Sequence, residues 1–172
     1  MASRNGFTLI ELLVVISIIG MLAGVVLVAT TGMRAKARDS RRKTDITQIR
    51  KALDLYYAKY EVYPRAGACA YGTNCYVYST SGPNWIPALT AESFFASVPV
   101  DPVNNLSGPW TTGHYSYSYG NVSTDGQKFD LTTQLENTGD PDRCGVKMYK
   151  FYFDNRNWCG SYSTQIYEYS PM

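Results

Sequence analysis

One carboxylate, that of Glu11, lies near the start of a run that is otherwise uncharged from Phe7 to Met33. Within that run, Leu12 to Thr31 is about as long as a helix that crosses the hydrocarbon core of a bilayer. An ionised carboxylate costs about 3 kcal/mol in the middle of a membrane helix, so an acid kept here indicates a function. The chemistry it can offer is neutralisation of a cation in apolar surroundings. A plain signal-anchor helix would account for the apolar run but not for Glu11.

Four cysteines, all outside the apolar run, provide a second possible chemistry: Cys69, Cys75, Cys144 and Cys159. An even number in an exported domain predicts two disulfides, for which three connectivities are possible. Proximity in sequence favours Cys69–Cys75 and Cys144–Cys159 but does not establish either pair. A zinc site is less favoured, because neither pair has the gap of two to four residues typical of zinc ligands.

Oxygen ligands for a metal are present in the C-terminal half, at Asp125, Asp130, Asp140 and Asp142. Carboxylate oxygens suit calcium, but the spacing does not match an EF-hand loop, and turns or solvated loops are the preferred interpretation. The one histidine, His114, is predicted to be a polar surface residue beside a strand. Neither a nucleophile-elbow motif nor a phosphate-binding glycine loop is found. The sequence therefore predicts a protein that is not an enzyme and has no cofactor.

A long helix is predicted to carry Glu11, because no proline interrupts Phe7 through Tyr63 and Pro64 is a natural stop. Its first half is apolar on all sides, which suits lipid or a bundle of helices. Gly20 and Gly24 have the spacing that lets a second helix approach closely, although glycine is common in membrane helices generally.

The second half of this helix is amphipathic. Five apolar residues recur at spacings of three and four and are predicted to pack on a folded domain: Ile46, Ile49, Leu53, Tyr56 and Tyr60.

Short elements are predicted after residue 64, forming an α+β head in which a small antiparallel sheet packs on the amphipathic half of the helix. Thr90 could cap a short helix through Val98, and Thr124-Asp125-Gly126 marks a hairpin turn. The strand candidates are Tyr76–Ser79, Tyr115–Tyr119, Phe129–Glu136, Met148–Phe153 and Ile166–Tyr169.

The charge distribution excludes little. A net charge of +2 gives nucleic-acid binding no real support. A basic run follows the apolar segment: Arg34, Lys36, Arg38, Arg41, Arg42 and Lys43. Such a run would favour a cytoplasmic head by the positive-inside rule, against the exported head that the cysteines indicate. It could bind DNA or anionic headgroups, but a solvated or intersubunit helix face is the simpler interpretation.

The N-terminal motif places these features in a known context. The residues Gly6-Phe7-Thr8-Leu9-Ile10-Glu11 follow a leader too short for an ordinary secretory signal, and the apolar core lies after Gly6 rather than before it. This order resembles the type IV pilin and pseudopilin family. The residues 60–64 resemble the family's helix exit, and residues 99–102 its Pro-x-Asp-Pro element. Val28 stands where many members have a proline.

The resemblance implies that a prepilin peptidase removes residues 1–6 between Gly6 and Phe7 and N-methylates Phe7. It also implies that Glu11 neutralises the new α-amine of a neighbouring subunit. Residues 7–33 would form the transmembrane and filament-core helix, 34–64 its amphipathic continuation, and 65–172 the disulfide-stapled head. Some pseudopilins bind calcium, for which the four aspartates are weak candidates.

The function expected from the resemblance is that of a structural pilin in a type IV pilus-like surface filament. Its partners would be further copies of itself, minor pilins, prepilin peptidase, an assembly ATPase and a platform protein, with membrane lipid before assembly. The subunit would first be a single-pass cytoplasmic-membrane protein with its head outside. One alternative is a pseudopilin of a type II secretion or DNA-uptake machine, which would stay in the envelope. Another is a membrane-anchored surface binding protein that merely carries a pilin-like leader.

Overall fold

The computed structural model describes residues 8–71, 75–121, 123–143 and 166–169, with only the backbone described for 25–31, 166, 168 and 169. It divides into two compact units, residues 1–37 and 38–172. The described elements are two α-helices, one short 3₁₀ helix and four strands: α1 Leu9–Tyr60, β1 Tyr76–Tyr78, the 3₁₀ helix Ser79–Ser81, α2 Pro87–Ala91, β2 Tyr117–Asn121, β3 Phe129–Gln134 and β4 Ile166–Tyr169. The expected α+β class is confirmed.

Helix α1 is long because 52 consecutive residues contain no proline to break it. The prediction that it runs to Pro64 is wrong by one turn. Glu61 has a φ of 59°, in the left-handed region, and its amide donates to the carbonyl oxygen of Tyr57 at 2.7 Å. That conformation ends the helix at Tyr60, four residues before Pro64.

In the N-terminal unit, apolar side chains on every side of α1 are exposed, among them Leu9, Ile19 and Met21. Among the described residues, no helix is both long enough and apolar enough to cross a membrane. The predicted span Leu12–Thr31 includes residues 25–31, whose side chains are outside the described set.

The head contains a four-stranded antiparallel sheet in the order β1-β2-β3-β4. Tyr119 pairs with Leu131 across β2 and β3, and the hairpin between them turns at the predicted glycine, Gly126, with a φ of 72°. The four predicted strands that are described all exist, and β4 has the predicted bounds. The remaining prediction, Met148–Phe153, lies outside the described residues.

The core forms where the amphipathic half of α1 meets the sheet. Ile46, Ile49 and Leu53 are fully buried, as predicted, and Tyr56 packs at the edge. Tyr60, however, is 41% exposed, so its assignment to the buried stripe is wrong. The sheet, α2 and the loops contribute other large core side chains: Tyr63, Trp85, Ile86, Leu89, Tyr117, Tyr119, Phe129 and Leu131.

The short helix α2 differs from the prediction in both bounds. It begins at Pro87, whose fixed φ suits the first helical position, and Thr90 lies inside the helix rather than capping it. Ser93 then takes a φ of 60°, which stops the helix well before Val98. The local sequence contains two signals for a helix start, Pro87 as a first helical residue and Thr90 as an N-cap, and the helix begins at Pro87.

Candidate functional site

Glu11 is held at the start of α1 by a reciprocal set of hydrogen bonds with Thr8. One carboxylate oxygen, Oε2, accepts from the Thr8 amide at 2.8 Å and from the Thr8 hydroxyl at 2.7 Å. The Glu11 amide donates back to Thr8 Oγ1 at 3.3 Å. This is a capping box, with Thr8 as N-cap and Glu11 at the third helical position.

The capping box gives Glu11 a local structural role that was not predicted from the sequence. The signal was present, because Thr8-Leu9-Ile10-Glu11 has the spacing of a threonine followed three residues later by a glutamate. The box satisfies amides at the helix start that would otherwise have no intrahelical partner. It also fixes the direction of the carboxylate through one of its two oxygens, Oε2, as far as the described residues show.

The other predicted N-terminal residues are only partly within the described structure. Gly6 and Phe7 lie outside the described residues. For Gly20 and Gly24, no described atom other than those of the adjacent residues and of the nearby helix backbone lies within 4 Å of the position that a Cβ would take. Both glycines are therefore open to a neighbouring helix, and their role in packing stays a prediction.

A buried arginine connects α1 to the head. The Arg42 side chain is fully buried, and its Nε and Nη2 donate to the two carboxylate oxygens of Asp101 at 2.7 and 3.0 Å. Its Nη1 donates to Asp39 at 2.8 Å and to Glu136 at 2.6 Å. The Arg42 guanidinium also lies 4.8 Å from the centre of the Tyr115 ring. We refer to Arg42, Asp39, Asp101 and Glu136 as the Arg42 cluster.

The acids of the Arg42 cluster also hold backbone segments. Asp39 accepts the amides of Glu136 and Asn137 at 2.9 and 2.8 Å, just after the end of β3. Asp101, from the Pro-x-Asp-Pro element, accepts the amides of Val103 and Asn104 at 2.8 and 3.2 Å. One arginine on α1 therefore ties together two separate loops of the head, through carboxylates that are themselves held by the backbone.

Burial and charge oppose each other in this cluster. Burial lowers the pKa of Arg42, but the hydrogen bonds and charges of Asp101, Glu136 and Asp39 raise it by more than burial lowers it, so the net shift is upward. Burial raises the pKa of Glu136, whereas its bonds to Arg38 and Arg42 lower it more strongly. Both groups are therefore ionised at neutral pH, as the geometry requires.

The basic run is not a single solvated face, contrary to the sequence-based interpretation. Arg42 is buried, Arg38 forms a bidentate pair with Glu136, and Lys43 pairs with Asp140 and Asp142. Half of the six cations are thus neutralised by carboxylates of the head. The other three, Arg34, Lys36 and Arg41, are exposed.

The four calcium candidates are not brought together. Asp125 accepts the amide of Gln127 in its own turn, and Asp130 accepts from the hydroxyl of Tyr76 in the sheet. Asp140 and Asp142 are neighbours, but a lysine ammonium lies between them. Among the described residues, no group of three acidic, histidine or cysteine side chains could hold a metal ion.

The remaining candidates are placed simply. Cys69 and Cys75 form a disulfide, as the shorter pairing predicts. Cys144 and Cys159 lie outside the described residues. His114 is near the surface, and its Nδ1 lies 2.9 Å from the carbonyl oxygen of Ser107, so it has the loop position expected from the sequence.

Residues 1–27 match the family described as the prokaryotic N-terminal methylation motif. The chain is 32% identical over 115 residues to type II secretion system core protein G of Escherichia coli, covering 65% of this chain and 77% of that protein. It is 31% identical over 121 residues to the protein of the same name from Pseudomonas aeruginosa, covering 68% and 83%. The match to the Vibrio cholerae protein is shorter, with 41% identity over 64 residues, or 37% of this chain and 44% of that protein.

The chain belongs to the type IV pilin and type II secretion pseudopilin family. The matches to the Escherichia coli and Pseudomonas aeruginosa proteins are longer than the 52-residue helix, so they include part of the head. No solved structure matches the chain significantly.

Proposed function

We propose that this protein is a pseudopilin, a non-enzymatic structural subunit of a type II secretion filament that assembles through its N-terminal helix. The observation that carries this proposal is the similarity to core protein G proteins, which extends past the helix into the head. A surface pilin, the function expected first from the sequence, shares the N-terminal motif but has less support from the relatives.

Processing is the first step of the proposed mechanism. A prepilin peptidase would cut between Gly6 and Phe7, removing residues 1–6 and leaving a methylated α-amine on Phe7. Before assembly, residues 7–33 would anchor the chain in the cytoplasmic membrane with the head outside. An assembly ATPase and a platform protein would then move the subunit into the filament.

Glu11 would select and align the incoming subunit. The α-amine of Phe7 is a cation in apolar surroundings, and pairing with the carboxylate of a neighbouring Glu11 offsets the desolvation of both charges. The capping box supports this role, because Oε2 is held by Thr8 and the carboxylate therefore has a defined direction before the partner arrives.

Two variants separate the charge of Glu11 from its capping role. Glu11→Gln removes the charge, but a glutamine at this position can still accept from the Thr8 amide. Glu11→Ala removes both. We expect both variants to be cleaved and inserted normally and both to fail in assembly, measured by crosslinking of subunits in intact cells. Ser17→Ala, in which a hydroxyl bonded to the Leu13 carbonyl oxygen is lost from the same helix, is the matched control and should assemble.

Normal assembly of Glu11→Gln would contradict the charge mechanism and leave helix capping as the role of this residue. Normal assembly of both variants would favour the membrane-anchored binding protein instead.

The location of the processed form tests the class of filament. Intact mass measurement should find a chain that begins at methylated Phe7 in the cell envelope and not in filaments sheared from the cell surface. Abundant Phe7-started protein in the sheared fraction would favour the surface pilus. A chain that still begins at Met1 in every fraction would contradict both filament functions.

A further inference from the structure

The strongest feature that the assembly mechanism does not use is the contact between Lys43 and the loop that follows β3. Lys43 Nζ lies 2.6 Å from Asp140 Oδ1 and 2.6 Å from Asp142 Oδ2. The Lys43 side chain is 23% exposed and that of Asp140 is 13% exposed, so this pair is largely shielded from water. Asp142 is more open, at 55%.

The loop is built so that these two carboxylates converge. The amide of Asp142 donates to Asp140 Oδ1 at 2.9 Å, and the amide of Arg143 donates to the Asp140 carbonyl oxygen at 3.2 Å. Before them, Asn137 accepts the amides of Gly139 and Asp140. These consecutive turns direct both acids at one point, and that point is occupied by the ammonium group of α1.

The charges agree with this geometry. Burial lowers the pKa of Lys43, but its bonds to Asp140 and Asp142 raise it more, so the lysine stays protonated. The pKa of Asp140 is lowered, because the hydrogen bonds from Lys43 and from the Asp142 amide outweigh the upward effect of its burial. Lys43 and Asp140 therefore carry the charges that their contact requires near pH 7.

We propose that Lys43 is the cation that holds residues 137–143 against α1, so that the folding of this loop does not depend on a divalent metal ion. Calcium in proteins takes six to eight oxygen ligands, and here two converging carboxylates already bind an ammonium. A calcium ion placed between them would have to displace Lys43 and would then be repelled by its charge. This inference does not rest on the proposed secretion function.

The test measures amide hydrogen exchange of residues 137–143 in the full-length protein in detergent, with EDTA and with calcium chloride. In the wild type we expect the same protection of this loop in both solutions, because Lys43 supplies the charge. Lys43→Met keeps most of the apolar stem but loses the charge, and we expect protection in the loop to fall by roughly tenfold or more. Lys51→Met, at an exposed position on the same helix, is the control and should leave the loop unchanged.

Asp142→Asn provides a second variant in case Lys43→Met does not fold. It removes one partner at the more exposed end of the contact and should lower protection in the loop by a smaller factor. Asp125→Asn, in a different turn, is its control.

A wild-type loop that gains protection in calcium would overturn the proposal. The same conclusion would follow if Lys43→Met and Lys51→Met gave equal protection in residues 137–143. If calcium restored protection only in Lys43→Met, the lysine and the metal would be interchangeable there, which supports the proposal.

Discussion

Replacing Arg42 by methionine tests whether the Arg42 cluster stabilises the head. Methionine has a similar length but cannot donate, so Asp39 and Asp101 would be left buried without their cation. Removing one partner of a buried ion pair typically costs about 3–5 kcal/mol of unfolding free energy. The two acids are 1% and 2% exposed, so water cannot easily replace the guanidinium, and we expect a value in this range.

Urea unfolding of the full-length protein in detergent, followed by tryptophan fluorescence, measures this loss. Trp85 is a suitable reporter because it is buried in the core and its indole donates to the Pro99 carbonyl oxygen at 2.9 Å. With a denaturant slope of about 1–3 kcal/mol per molar, a loss of about 3–5 kcal/mol should lower the urea midpoint by roughly 1–5 M.

Two further variants test the reasoning. Arg38→Met removes a cation that is 36% exposed, and it should cost no more than about 1 kcal/mol. Asp101→Asn in the Arg42→Met background removes one uncompensated charge while keeping an acceptor for the Val103 amide, and should recover about 1–2 kcal/mol. If Arg42→Met and Arg38→Met were equally mild, or if Asp101→Asn recovered nothing, the account of a buried charge cluster would be refuted.

Three other measurements follow from the structure. Burial raises the pKa of Asp45, whose carboxylate accepts from the Tyr117 hydroxyl at 2.8 Å. Asp45→Asn removes the buried charge but can still accept this bond, so it should be as stable as the wild type or more stable in urea at pH 7. Asp45→Ala leaves the Tyr117 hydroxyl without its acceptor and should lose about 1–3 kcal/mol of unfolding free energy. Gly120→Ala would place a Cβ 2.6 and 2.8 Å from two atoms of the Tyr76 ring and should lower stability by about 1–3 kcal/mol in the same assay, while an unchanged midpoint would mean that the ring moves freely. The pKa of Glu136 in the folded protein is lowered from 4.5, so ionised Glu136 stabilises the fold above pH 4.5 and this stabilisation is lost as the pH falls through the folded-state pKa. When urea midpoints are measured from pH 5 downward, they should therefore fall less steeply in Glu136→Gln than in the wild type.

The periodic parts of the fold could be predicted from the sequence. The uninterrupted helix, the apolar positions Ile46, Ile49 and Leu53 and the alternating strands each follow from local pattern alone. The predicted bounds of α1 and α2 are wrong where two local signals competed or where a residue in the left-handed region ended the helix. Tyr60 continues the helical stripe in sequence, but it lies in the last turn of α1 and remains 41% exposed.

The contacts of the candidate sites likewise fall into those that a local pattern predicts and those that it does not. Thr8 and Glu11 are three residues apart, so their capping box could have been recognised from spacing. Two of the three acidic partners of Arg42, Asp101 and Glu136, are 59 and 94 residues away, and nothing in the local sequence distinguishes Arg42 from the exposed Arg41. Lys43 is similar, with partners 97 and 99 residues away. Which cations of a basic run are buried depends on the tertiary structure, and a single sequence does not encode it in a local pattern.

The buried charges also determine where the head sits along the axis of its helix. Two surfaces of apolar side chains can shift past each other by a fraction of a turn while keeping much of their contact area. The Arg42 guanidinium cannot, because it is held by carboxylates from two different loops and any axial shift breaks several short bonds together. If the subunit is assembled into a filament as proposed, a force along the axis of the helix would be transmitted to the head through this cluster.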